Sequence, residues 1–222
     1  MYILGDIGNS ETKIFIVSSN YKIIKKVNFT SKDINLIKLN KFFDKLKLDY
    51  KKIKKILFCS VVPKSFELIK KYLLKKTRIK CYEVKNLNLK SLIKIKVNYK
   101  QVGSDRITNA ISLLDKKNNF IILDFGTATT FDVLIKDSYA GGVIAPGVRL
   151  SLDTLSDKAT LIPRIDLKKI KNIVVIRVIQ VKIIHHLIKE LLILRVIALQ
   201  MILAKPKTVY TNTLIQHMVQ VL

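Results

Sequence analysis

The chain has 222 residues, 49% of them hydrophobic, enough apolar side chain for one large domain or two small ones with a sizeable core. Its formal charge of +25, from 41 basic and 16 acidic residues, is scattered as Lys-Lys pairs among Ile and Asn; Arg is sparse and no stretch interleaves aromatic with basic residues, which argues against a nucleic-acid partner and for an AT-rich codon bias. No uninterrupted apolar run reaches membrane-spanning length, because the candidate stretch 173–203 is broken by Arg177, Lys182, Lys189, Glu190 and Arg195, so no membrane partner is expected.

The chain opens directly on an apolar strand, Tyr2-Ile3-Leu4, without a basic region and apolar core ahead of it, so no secretory leader is expected. Gly5-Asp6-Ile7-Gly8-Asn9-Ser10-Glu11-Thr12-Lys13 then turns the chain back into Ile14–Val17, a strand–turn–strand with an acid before the turn. Tyr21–Phe29 alternates loosely and adds a third strand. Ser31 is expected to cap a helix running to about Leu46, with Ile34, Leu36, Ile37, Leu39, Phe42, Phe43 and Leu46 on one stripe. Ile56–Ser60 reads as a short buried strand leading into Ser60-Val61-Val62-Pro63, and Pro63 opens a helix through Leu74. Cys81–Val84 is a further strand, and Lys85–Tyr99 a loop or poorly defined edge. Strand, strand, strand, helix, strand, helix in that order implies a mixed sheet flanked by helices. Cys59 and Cys81 sit in apolar, strand-like contexts without metal-ligand spacing and are expected to be reduced core thiols of a cytosolic protein.

Gly103-Ser104-Asp105-Arg106 opens a helix through about Leu114. A second hairpin follows: apolar Phe120–Leu123 ends on Asp124, Gly126 and Thr127-Ala128-Thr129-Thr130 make the turn, and the chain is apolar again through Val133–Ile135. Tyr139–Gly147 carries Gly141-Gly142 and Pro146-Gly147, and a helix over Val148–Lys158 comes next. Five of the seven glycines lie between 103 and 147, so the tightest backbone geometry is expected there.

Laid on each other, the two hairpins match: Asp6 on Asp124, Gly8 on Gly126, Asn9 on Thr127 and Thr12 on Thr130, 118 residues apart (124 − 6). Each such turn aims backbone N–H groups and hydroxyls off its tip with a carboxylate beside them. Phosphate oxygens need those donors, and a phosphate-bound cation needs the carboxylate. Two copies imply two similar half-domains offering phosphate-grasping turns to a shared cleft. Asp105, at a helix N-terminus that favours its ionised form, is the candidate base of a phosphoryl transfer; read in isolation, it is a first-turn acid with Arg106 as surface partner.

Asp6-Ile7-Gly8-Asn9-Ser10, Ser60-Val61-Val62-Pro63, Gly103-Ser104-Asp105-Arg106, Asp124-Phe125-Gly126-Thr127-Ala128-Thr129-Thr130 and Gly141–Gly147 occur in order, and over roughly residues 1–165 they resemble type III pantothenate kinase, of the sugar kinase–actin fold superfamily. The resemblance implies an α/β fold of two ribonuclease-H-like (actin/sugar-kinase type) lobes with mixed sheets flanked by helices, divided as 1–115 and 116–222. It implies ATP-dependent phosphorylation of pantothenate's primary hydroxyl, the first step towards coenzyme A, by a cytoplasmic homodimer using Mg²⁺ and a monovalent cation, K⁺ or NH₄⁺. Carried onto this sequence, Asp6, Ile7, Gly8, Asn9, Ser10, Glu11, Thr12 and Lys13 form the first phosphate turn, with Asp6 near Mg²⁺-ATP, and Thr127 contacts ATP phosphates. Gly103, Ser104, Asp105 and Arg106 line the pantothenate site, with Asp105 as proton acceptor and Arg106 meeting polar groups of the substrate. Asp124 holds the monovalent cation, and Tyr99 is the nearest candidate for the aromatic substrate contact that precedes the motif.

The segment 167–222 departs from the family pattern, with no Gly and one acid, Glu190. The family expects here a substrate-contacting Thr and Gly-containing helices that complete the second lobe. The expectation is therefore a slipped reading frame, an incomplete second lobe and impaired activity; a divergent amphipathic helical pair is the alternative for the segment. No role as ligand or base falls to His185, His186 or His217. A non-catalytic regulatory protein on the same fold is the alternative function, against which the retention of Asp6, Asp105 and Asp124 argues.

Overall fold

The computed structural model describes residues 1–165; the 167–222 segment, its three histidines and the apolar run 173–203 lie outside them. Two sheets share one helix. In the first sheet β1 (Tyr2–Ile7), β2 (Glu11–Val17) and β3 (Ile23–Thr30) form an antiparallel meander, and β4 (Lys55–Ser60) and β5 (Cys81–Glu83) continue it in parallel on the other side of β1. The order is β3-β2-β1-β4-β5. β1 and β4 are covered on both faces, which is why they read as continuous apolar runs rather than alternating ones.

On one face, α1 (Leu36–Lys45) and α2 (Pro63–Thr77) bury Leu39, Phe43, Ile69 and Leu73 against Ile3, Ile14, Ile16, Ile56 and Phe58. The cap of α1 differs from expectation. Asn35, not Ser31, accepts from the N–H of Lys38 (2.9 Å), while Ser31 begins a single 3₁₀ turn and donates its hydroxyl to the Gly8 carbonyl (2.5 Å). Both residue types make good caps, and here the carbonyl of the first hairpin competes for Ser31. α2 starts on Pro63 as expected but runs three residues past Leu74, closing at Arg78 in the left-handed conformation (φ +61°).

The second sheet has the order β6-β9-β8-β7, with β6 (Lys94–Ile95), β7 (Asn119–Phe125), β8 (Ala128–Ile135) and β9 (Ser138–Pro146). The two-residue β6, inside the stretch expected to be a loop or poorly defined edge, is an edge strand that pairs in parallel with β9. α3 (Ser104–Ser112) lies between the sheets, and one core cluster joins Leu4, Phe15, Leu57 and Cys59 of the first sheet through Ile107, Ala110 and Ile111 to Ile122, Leu134 and Tyr139 of the second. The opposite face of the second sheet is apolar and open among the described residues, with Ile121 68% and Val143 64% exposed. α4 (Val148–Lys158) follows β9 and buries none of its residues. No helix among the described residues is long and apolar enough to cross a membrane.

Candidate active site

The tips of the two hairpins touch. Ser10 Oγ and Thr127 Oγ1 are 2.7 Å apart, joining residues 117 positions apart across the two sheets. Strand register explains why these two meet. Asp6 lies opposite Lys13, whereas Asp124 lies opposite Thr130, so the first turn is one residue longer than the second. Past the turn, therefore, Lys13 rather than Thr12 answers to Thr130, Thr12 answers to Thr129, and Ser10 answers to Thr127. The turn hydrogen bonds agree: Gly8 N–H donates to Glu11 O and Gly126 N–H to Ala128 O, both 2.9 Å. Thr12 and Thr129 are both buried, and the Thr12 hydroxyl lies 2.9 Å from that of Ser31.

The first turn thus divides its residues. Gly8, Asn9, Ser10 and Glu11 form the accessible tip, Ile7 and Thr12 are core, and Lys13 Nζ stands 3.4 Å from Glu11 Oε2. Asp6 is almost wholly buried and accepts from the Cys59 thiol of neighbouring β4 (3.2 Å). In the second hairpin Gly147 closes the turn from behind: its N–H donates to Thr127 O (3.0 Å), and a Cβ there would stand 2.2 Å from Gly126 O.

The first turn of α3 is held from both sheets. Ser104 donates its hydroxyl to Glu83 at the end of β5, and the same carboxylate accepts from Lys85 N–H (2.8 Å). Arg106 donates through Nε to Asp132 Oδ1 on β8 (2.7 Å), and Tyr139 of β9 donates its hydroxyl to that oxygen as well (2.5 Å). Arg106 Nη2 is 2.6 Å from Oδ1, an ion pair without hydrogen-bond alignment, and makes no hydrogen bond among the described residues. Burial alone would lower the Arg106 pKa, but the hydrogen bond and charge of Asp132 outweigh it and leave it raised. Burial, and then Asp132, push the Tyr139 phenol well above its ordinary range. Gly142 makes this packing possible, since a Cβ there would meet Phe131 O at 2.0 Å and Arg106 Nη2 at 2.6 Å.

Between these anchors stands Asp105, half-buried, its Oδ1 accepting from Arg106 N–H (2.8 Å). A Cβ on Gly103 would fall 2.4 Å from that oxygen, so glycine leaves room for the carboxylate to fold over the helix start. Asn109 lies one turn on, on the same face of α3, and donates to Asp124 Oδ2 (3.0 Å). Asp124 is thereby tied to the helix that carries Asp105. Ser104 and Arg106, expected to line a substrate site, are both buried, and the isolated-pair picture of Arg106 as a surface partner is corrected by its burial against Asp132. Tyr99 is in a 3₁₀ turn, donates to Lys85 O (2.8 Å), and borders a cavity of ≈ 340 Å³ lined also by Leu87, Leu89, Ile93 and Ile95.

Glu83, Asn109, Asp132 and Tyr139 escaped the sequence reading. A signal existed for two of them. Asn109 is four residues from Asp105, and Asp132 alternates with Thr130 and Leu134 along β8, which puts an acid on the buried face. Among the described residues no three His, Cys, Asp or Glu side chains cluster as a metal site. One or two carboxylates beside nucleotide phosphates suffice for Mg²⁺, and Asp6 would supply hard oxygens of that kind.

A family model described as type III pantothenate kinase matches residues 2–186, beyond the 1–165 over which the motifs are legible. The chain is similar to the type III pantothenate kinase of Pelagibacter ubique, 62% identical over 174 residues, covering 78% of this chain and 70% of that protein. It is 34% identical to that of Desulforapulum autotrophicum, covering 75% of this chain and 66%, just under two thirds, of that protein. Among solved structures, a Campylobacter jejuni protein described as a candidate Baf family transcriptional activator is 21% identical, with a TM-score of 0.41 over 70% of this chain and 59% of that one.

Proposed function

The chain belongs to the type III pantothenate kinase family, and we propose that it transfers the γ-phosphoryl group of ATP to the primary hydroxyl of pantothenate, the first step towards coenzyme A. The observation that carries the phosphoryl-transfer reading is the 2.7 Å approach of Ser10 and Thr127, which sets two turns rich in N–H and hydroxyl donors side by side. Phosphoryl transfer is mostly positioning and charge neutralisation, and paired donor turns supply both. In this reading the tip of the 6–13 hairpin and Thr127 bind the ATP phosphates, and Asp105 takes the proton of the attacking hydroxyl. Gly103, Ser104, Arg106 and Tyr99 shape the pantothenate side. Mg²⁺ near Asp6 would neutralise phosphate charge, and K⁺ or NH₄⁺ would sit at Asp124, whose carboxylate Asn109 orients. The lobes are taken as 1–115 and 116–222, working in the cytoplasm as a homodimer. A non-catalytic regulatory role is not favoured, since the curated relatives carry the kinase name.

The test is coupled-assay turnover of ATP with pantothenate, with and without K⁺. Asp105→Asn should lower kcat by about 10²- to 10⁴-fold, the range of a general base, with ATP affinity by calorimetry retained. An unchanged rate removes Asp105 as the base, and failure of the unmodified chain to bind ATP removes the reading; ATP binding without turnover would mean loss of function, as expected from the 167–222 segment.

A further inference from the structure

Asp132 is fully buried, and its hydrogen-bond partners among the described residues are Arg106, Tyr139 and Thr130 rather than Ser10 or Thr127 at the tips of the turns. Its Oδ1 gathers Arg106 Nε, Arg106 Nη2 and the Tyr139 hydroxyl, and Thr130 Oγ1 stands 3.4 Å from Oδ2. A lone buried carboxylate on a sheet is costly unless paired, and this one is paired to the residue next to Asp105. The pairing is side-on. Nε donates to Oδ1 and Nη2 lies against the same oxygen without a hydrogen bond, so the Nε edge of the guanidinium is held towards β8 and its end-on edge, Nη1 with Nη2, is left for another partner. Nη2 is buried and makes no hydrogen bond among the described residues, an unmet donor at the end of a fixed fork. Gly142 supplies the space in which that end lies.

We infer that Asp132, assisted by Tyr139, is a positioning residue for the acceptor substrate: it pins the Nε edge of Arg106 so that the end-on edge presents its unmet donor to an acceptor oxygen of that substrate. The inference rests on the kinase reading for the identity of the substrate, and on the Arg106–Asp132–Tyr139 geometry for the rest. A guanidinium that swings freely loses rotamer freedom at each binding event, whereas a pinned one does not. Asp132 therefore acts on acceptor binding through Arg106, and not on the nucleotide, which is held by the 6–13 tip and Thr127, with which it shares no hydrogen bond.

The experiment compares Asp132→Asn and Tyr139→Phe with the unmodified chain, each checked for fold by circular dichroism. Asp132→Asn should raise KM for pantothenate about tenfold or more with KM for ATP unchanged within about twofold, the pattern of lost ground-state binding at one substrate only. Tyr139→Phe, which keeps the ion pair, should give a smaller rise in the same KM and serves if Asp132→Asn does not fold. A folded variant with unchanged pantothenate KM, or with both KM values raised alike, overturns the inference. A second readout does not need turnover. In ¹⁵N spectra the Arg106 Nε–H, identified by its loss in Arg106→Lys, should exchange slowly with water, shift on titration with pantothenate alone, and exchange fast in Asp132→Asn. If the unmodified chain turns over no pantothenate, this resonance still decides the pinning; fast exchange in the unmodified chain overturns it.

Discussion

Two side chains in the first sheet's core hold protons that an unfolded chain would release. Burial pushes the Cys81 thiol from 9.0 to about 12, and burial, with Tyr50 and Asp44 nearby, pushes the Tyr72 phenol from 10.0 to about 12. Between pH 9 and 12 the native state therefore binds more protons than the unfolded one, and stability falls as pH rises through that window. Urea midpoints measured at pH 8 and pH 10.5 should show the drop, and Cys81→Ala should show a shallower one. At neutral pH the same thiol should resist alkylation until the chain is unfolded. Tyr72 also carries a buried hydroxyl without a hydrogen-bond partner among the described residues. Tyr72→Phe should be neutral or stabilising by up to about 1 kcal/mol, because a desolvated, unpaired hydroxyl contributes nothing to set against its desolvation. A loss larger than that in urea denaturation would mean the hydroxyl is paired.

At the level of elements, most features were legible because local rules dictated them: Pro63 starts α2, the apolar run Val133–Ile135 marks the end of β8, and acid-x-Gly marks both hairpins. The exceptions came from long-range competition. Ser31 is as good a cap as Asn35, but the Gly8 carbonyl, 23 residues away, takes its hydroxyl. β6 has only two residues, too few for a period, and exists because β9 offers it an edge. The register of the hairpins was likewise hidden, since letter-by-letter matching cannot see that one turn is a residue longer. Gly142 sits where two elements press together. Gly142→Ala should destabilise by about 2–4 kcal/mol, because its Cβ would meet backbone at 2.0 Å and the Arg106 guanidinium at 2.6 Å, and neither gives way cheaply. Ala at Gly126, whose nearest neighbour would be 3.5 Å away, should cost much less in the same thermal melts.

For the whole molecule, the question is whether the two hairpins act as one grip. Ser10→Ala and Thr127→Ala should each raise KM for ATP about tenfold, some 1.4 kcal/mol, within the usual range of a hydrogen bond to a charged group. In the double variant the effects should fall short of additive by at least about 0.5 kcal/mol, because the hydroxyls are in contact. Full additivity would mean that the turns bind independently. The shared core across α3 points to the cooperative outcome, since neither sheet can shift without disturbing Ile107, Ala110 and Ile111.

Taken alone, the order of residues determined most of the elements, the two acid-x-Gly turns and Asp105 at a helix start, because each follows from patterns within a dozen residues, and the family resemblance, because five such short motifs occur in order along the chain. Tertiary structure decided which hydroxyls meet, that Ser104 and Arg106 face inward to Glu83 and Asp132, and that Asn109 holds Asp124. Those pairings join residues of different elements, most of them far apart in the chain, and only the packing of α3 between two sheets brings such donors and acceptors within reach.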